Sequence, residues 1–165
     1  MRKKFLGISI TIFSILMSVY PLSNPAVAGN TSLSENGKRA FEDLGRCLQS
    51  QGSEKVLDVF YLIDESGSLQ ETDPKDDRAE ILSSNLTQLA SFRKGVTVNY
   101  SVAFFAQDYS LWKPWSTVNP ASILTDARKL DTEVRKRDSG QLTNWLVGVN
   151  GAINELNAQH ARTGG

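Results

Sequence analysis

Apolar residues in this chain fall into two dense runs, separated by stripes of helical period. From Val56 to Ile63 nearly every position is apolar (Val56, Leu57, Val59, Phe60, Tyr61, Leu62, Ile63). Such continuity predicts a strand buried on both faces, as in a parallel sheet covered by helices. From Val96 to Phe105 a second run alternates, with Val96, Val98, Tyr100, Val102 and Phe104 on one face and Ala103 and Phe105 on the other. Between them Ala79, Leu82, Leu86 and Leu89 recur at spacings of three and four, and Ile81 widens the stripe, which predicts a helix over about 76 to 92. Lys94-Gly95 makes the turn into the second strand. Residues 106 to 119 are less regular, with a short edge strand expected near Trp115 to Val118.

Pro120 suits the first turn of a helix running to about Val134. A charged loop from Arg135 to Leu142 follows. A last helix is expected from about Asn144 to Ala158, its stripe formed by Leu146, Val149, Ile153 and Leu156 with Ala152 beside it. Ahead of the first strand, Ala40, Phe41, Leu44, Cys47 and Leu48 mark a helix over 35 to 51. The alternation of helices and strands indicates an α/β layered domain.

The N-terminus changes the picture of where the domain begins. Arg2, Lys3 and Lys4 precede a mostly apolar stretch from Phe5 to Tyr20, Pro21 stops it, and Ala26-Val27-Ala28 offers a small-residue cleavage site. That order predicts a secretory signal peptide over 1-28, cleaved near Ala28. The stretch is short for a membrane span and is interrupted by Gly7, Ser9, Thr11, Ser14 and Ser18. The expected organisation is therefore signal peptide 1-28, polar linker and N-terminal helix 29-54, and an α/β domain 55-165.

Charge and cysteine content add exclusions. The chain has 18 basic and 18 acidic residues. The signal removes three basic residues and no acid, leaving the exported chain with 15 basic and 18 acidic residues, a net charge near −3. That balance gives no support to nucleic-acid binding or to attachment on anionic lipid. Cys47 is the single cysteine, so no internal disulfide can close. Its place on a helical stripe predicts a small buried hydrophobe rather than a reactive or pairing thiol. Three N-x-S/T acceptor patterns begin at Asn30, Asn85 and Asn99, relevant only in a glycosylating host.

The candidate chemistry lies where the first apolar run ends. Asp64, Ser66 and Ser68 form a D-x-S-x-S string directly after that strand. One carboxylate and two hydroxyls are hard oxygen ligands, suited to a small hard cation such as Mg²⁺. The same residue types also cap helices and close turns. In an open α/β sheet, ligands bind beyond the carboxyl ends of the strands, where this string falls. Thr143 stands before the last helix in Gly140-Gln141-Leu142-Thr143-Asn144-Trp145. By type it is an N-cap, and by position a hydroxyl that a doubly wound fold would bring to the same crevice.

Together these pieces resemble the von Willebrand factor A (VWA) family over about residues 55 to 165. That family opens its metal-dependent adhesion site (MIDAS) with D-x-S-x-S, matched by Asp64, Ser66 and Ser68, and adds a threonine from a later loop, matched by Thr143. The resemblance implies a doubly wound, Rossmann-like domain with a mostly parallel central sheet flanked by helices. It implies Mg²⁺ (or Mn²⁺) bound directly by Ser66 and Ser68, with Asp64 often acting through water. It also implies an extracellular protein partner whose acidic residue completes the octahedron. The family's third loop carries another Asp, usually followed by Gly, after a further buried strand. No Asp follows Asp138 here. The expectation is a fragment of a longer secreted or cell-surface protein with its C-terminal part missing, and the alternative is a truncated product that binds metal weakly. Any membrane attachment would come through an anchor not present in this chain.

Other functions receive less support. Asp64 could be a hydrolase nucleophile, but the position two residues on, where an acid and base would stand, holds Ser66. No P-loop, G-x-S-x-G elbow or HExxH is present, so the chain is read as a binding module and not an enzyme. A structural module with a vestigial metal motif is the other alternative. Trp112, Trp115 and Trp145 are expected to pack rather than to form a binding surface. Arg135-Lys136-Arg137 reads as a solvated loop, His160 as a tail residue, Asp73, Asp76 and Asp77 as loop acids, and Glu65 has no assigned role.

Overall fold

The structure, a computed structural model, describes residues 34–50, 55–92, 95–137 and 142–163. The expected signal peptide lies outside these residues, as does the side chain of Cys47. The element order is α1 (Glu35–Ser50), β1 (Lys55–Asp64), α2 (Leu69–Thr72), α3 (Asp77–Gln88) continued by a 3₁₀ turn (Leu89–Phe92), β2 (Val96–Phe105), β3 (Tyr109–Thr117), α4 (Ile123–Lys136) and α5 (Trp145–Thr163). The result is a mixed α/β domain whose small sheet is flanked by helices.

Among the described residues the sheet has three strands in the order β1-β2-β3. β1 and β2 are parallel, with Lys55 opposite Val96 and Asp64 opposite Phe105, so the two strands end together. β3 runs antiparallel to β2. It spans Tyr109–Thr117, longer than the expected Trp115 to Val118. Pro114 hides this strand from a pattern reading, because proline lacks a ladder donor. The register places Val102 opposite Lys113 and Tyr100 opposite Ser116, so Pro114 and Trp115 share the place opposite Ser101. This bulge accommodates the proline at the sheet edge. Ser101 Oγ donates to the Lys113 carbonyl at 2.8 Å in place of a ladder bond.

Pleating divides the strands between two cores. Leu57, Val59, Tyr61 and Ile63 of β1 join Val98, Tyr100, Val102 and Phe104 of β2, and these pack with Ala79, Leu86 and Leu89 below and Ile123, Ala127, Leu130 and Val134 of α4. Of the stripe predicted for α3, Ala79, Leu86 and Leu89 are buried and Leu82 packs against them, whereas Ile81 is exposed. On the opposite face the core is smaller: Phe60, Ala103 and Ala152 of α5, with Leu62, Tyr109, Trp115 and Leu156 packed against them.

The last helix departs from its predicted packing. Leu146 is 69 % exposed and Ile153 48 %, although both belong to the expected inward stripe. The line that α5 turns inward is Gly148, Ala152 and Gln159. The cause is distance. A Cβ added at Gly148 would stand 2.7 Å from the Phe105 ring, and one at Gly151 would stand 2.3 Å from the Tyr109 ring. Only glycine allows so close an approach, and it turns the bulkier stripe sideways. Trp115 completes the contact, with its ring 5.9 Å from Phe60 and its Nε1 donating to the Glu155 carbonyl at 3.3 Å. Trp112 meets Phe104 edge-on at 6.2 Å, so both tryptophans pack as expected.

A polar line crosses this face of the sheet near the strand starts. Gln159 Nε2 and Asn99 Nδ2 both donate to Asp58 Oδ1, at 3.2 and 2.8 Å, and Thr117 Oγ1 donates to Asn99 Oδ1 at 2.8 Å. Buried Gln159 is thereby satisfied, and all three strands are joined through side chains.

Candidate functional site at the carboxyl edge of the sheet

β1 ends at Asp64, and the ladder continues one residue further, with Glu65 N donating to the Phe105 carbonyl at 2.9 Å. The chain then turns sharply. Ser66 N donates to Asp64 Oδ1 at 2.8 Å, an Asx-type closure that aligns the carboxylate with the turn. Leu69 N and Thr72 N donate to the carbonyls of Ser66 and Ser68 and start α2. The side chain of Ser66 is completely buried, at 0 % exposure, whereas Ser68 is exposed and Asp64 half-buried. The Ser66 and Ser68 hydroxyl oxygens stand 3.2 Å apart.

Thr143 reaches the same edge through the backbone. Asn144 N donates to the Ala106 carbonyl at 2.8 Å, which ties the segment before α5 to the residue that follows β2. Because β2 ends opposite Asp64, this tie brings the half-buried Thr143 to the edge that carries Asp64, Ser66 and Ser68. Thr143 is not the helix cap it resembled by type. The cap is Asn144, whose Oδ1 accepts from Val147 N at 3.3 Å and whose carbonyl accepts from Gly148 N. The threonine hydroxyl is thus relieved of capping duty. Trp145 follows, half-exposed, its ring 4.9 Å from that of Phe105.

The neighbouring loop acids are structural. Asp73 accepts from Asp77 N at 2.7 Å, from Arg78 N at 3.2 Å and from Arg78 Nη1 at 3.2 Å. It therefore caps α3, where a carboxylate meets unpaired N–H groups and the positive end of the helix dipole. Asp76 holds a left-handed backbone (φ 55°) at this start and stands 3.5 Å from Arg78 Nη2.

Two side chains with no assigned role in the sequence stand at this edge. Arg137, just past α4, donates through Nε to Glu133 at 2.7 Å and through Nη1 to Glu65 at 3.2 Å. Its guanidinium lies 4.4 Å from the centroid of the Phe104 ring. Burial opposes the charge on Arg137, but the bonds to Glu133 and Glu65 outweigh it and hold the group more firmly protonated than a free arginine. Arg137 is therefore not the solvated loop residue expected, and Glu65 is not idle. Ion pairing across 72 positions leaves no trace in local pattern, so no sequence signal marks it.

A hard cation can be tested against these groups. Among the described residues no three of His, Cys, Asp and Glu come together to hold a metal. The edge instead combines one carboxylate with hydroxyls. Adjacent ligands of octahedral Mg²⁺, each about 2.1 Å from the ion, lie roughly 3 Å apart, close to the spacing of the two serine oxygens. Asp64 keeps one carboxylate oxygen beyond the one used by Ser66 N. The donor chemistry fits a Mg²⁺-type ion with most of its shell left to water or an external ligand.

Comparison with protein-family profiles, with curated proteins and with solved structures returns no match for this chain.

Proposed function

We propose that this chain is an extracellular binding module of the VWA type, which uses Mg²⁺ (or Mn²⁺) to grip an acidic group of a protein partner. The carrying observation is Ser66: a fully buried hydroxyl, 3.2 Å from a second hydroxyl, on the turn that follows a buried parallel strand. Ser66 and Ser68 would bind the ion directly, Asp64 would act directly or through water, and Thr143 would add a further oxygen. Neutral ligands leave the ion electrophilic, so it retains affinity for an external carboxylate. The parallel β1-β2 pair with helices on both faces is compatible with a doubly wound domain. Export rests on the charge, apolar core and small-residue order of residues 1-28.

The test is a Mn²⁺ titration of the purified exported chain, read by loss of the free-ion electron paramagnetic resonance signal. Wild type takes up one ion, and Ser66→Ala and Asp64→Ala each lose it. Equal uptake by all three, or none by wild type, would reduce the string to a turn-closing device. Mg²⁺-dependent turnover of a phosphate ester would move the chain to the hydrolases.

A further inference from the structure

We infer that Arg137 is a positioning residue that clamps the turn carrying Asp64, Ser66 and Ser68 through Glu65. The inference rests on the metal-site reading above and adds a residue that no part of the D-x-S-x-S pattern contains. Arg137 is held at three points: Glu133 on its own helix, the face of the fully buried Phe104 ring, and Glu65. Glu65 sits between Asp64 and Ser66. Its backbone N–H is fixed on β2 and its carboxylate on Arg137, so backbone and side chain of residue 65 are both restrained.

Restraining residue 65 sets its two neighbours, which are candidate ligands. The side chains of Arg137 and Glu65 are largely buried, at 26 and 15 % exposure, so solvent screens them less than a surface pair. Arginine suits the task because a planar, delocalised cation can bond two carboxylates and stack on a ring at once, which a lysine ammonium cannot do.

The experiment compares Mn²⁺ binding with amide hydrogen exchange in wild type, Arg137→Met, Arg137→Lys, Glu65→Gln and the Arg137→Met/Glu65→Gln double variant. Groups that orient metal ligands change affinity by about 10–100-fold when removed. Arg137→Met and Glu65→Gln are each expected to weaken Mn²⁺ binding about tenfold, and the double variant to be no worse than either single. Arg137→Lys, which keeps the charge but cannot bond both carboxylates and stack on the ring, should recover only a small part of the loss. Exchange should accelerate in residues 64–69 of Arg137→Met. Wild-type affinity in both single variants, additive losses in the double, or unchanged exchange in residues 64–69 would overturn the clamp. Absence of Mn²⁺ binding by wild type would sink the metal reading alone. Exchange would then decide the clamp by itself, upheld by acceleration in residues 64–69 and overturned by none.

Discussion

The two faces of the sheet are built on different rules. On the α3 and α4 side, large aliphatic side chains meet in the order their periodicity announces, and Leu86, Leu130 and Val134 are fully shut away. On the α5 side, contact is made by removing side chains: Gly148, Gly151 and Ala152 bring a helix backbone against the rings of Phe105 and Tyr109. Apolar area drives the first contact and close approach the second. An apolar stripe therefore identifies the face of a helix only where nothing smaller beside it permits a closer fit.

The sharpest break between the faces should come from truncating one leucine on each. Leu130→Ala empties a fully buried position and is expected to cost about 3 kcal/mol, whereas Leu146→Ala, on the exposed stripe of α5, should change stability by less than about 0.5 kcal/mol. Urea denaturation reads both. Equal costs would mean that the stripe of α5 is buried after all.

Gly148→Val tests the close approach. The new side chain meets the buried Phe105 ring and should cost about 2 kcal/mol by overpacking, although valine is the better helix former. A neutral or stabilising outcome would show that α5 can lift off the sheet without penalty.

Tyr109→Phe is the smallest and runs the other way. Tyr109 Oη is buried with no hydrogen-bond partner among the described residues, so its removal should stabilise by about 1 kcal/mol. Burial, helped by the nearby Glu155, pushes this phenol up to about 12 from 10.0. The folded state keeps a proton that the unfolded chain releases near 10.0. The associated stability is complete below that pH and is lost as pH rises toward 12. Tyr109→Phe should shed this part of the alkaline destabilisation, while Tyr61 and Tyr100, whose phenols burial raises further, retain theirs.

Much of this architecture was legible in the sequence because it follows from burial on both faces. The run from Val56 to Ile63 marked a central strand, and Asp64 marked its end. The parallel pairing, the turn at Ser66 and the helices α3 and α4 followed from the same logic. What was illegible depends on distance between segments. Pro114 concealed the length of β3 because a bulge opposite Ser101 is a property of two strands, not one. The helix expected from Pro120 starts at Ile123, because Asn119 holds the preceding turn with its side chain and carbonyl. Asn144 rather than Thr143 caps α5, although both residues are capping types, because the Asn144 N–H is drawn to Ala106. Arg137 reads as part of a solvated basic run and Glu65 carries no local signal, because the ion pair that joins them spans 72 positions.

Thermal unfolding of wild type and Ser66→Ala, with and without roughly 10 mM Mg²⁺, tests the proposal that the turn after β1 binds a Mg²⁺-type ion, since such a concentration loads even a weak extracellular-type site. An ion that binds only the folded chain raises its stability by mass action. The Tm of wild type is expected to rise by a few degrees and that of Ser66→Ala not at all. No shift in wild type, or the same shift in both proteins, would contradict the proposal.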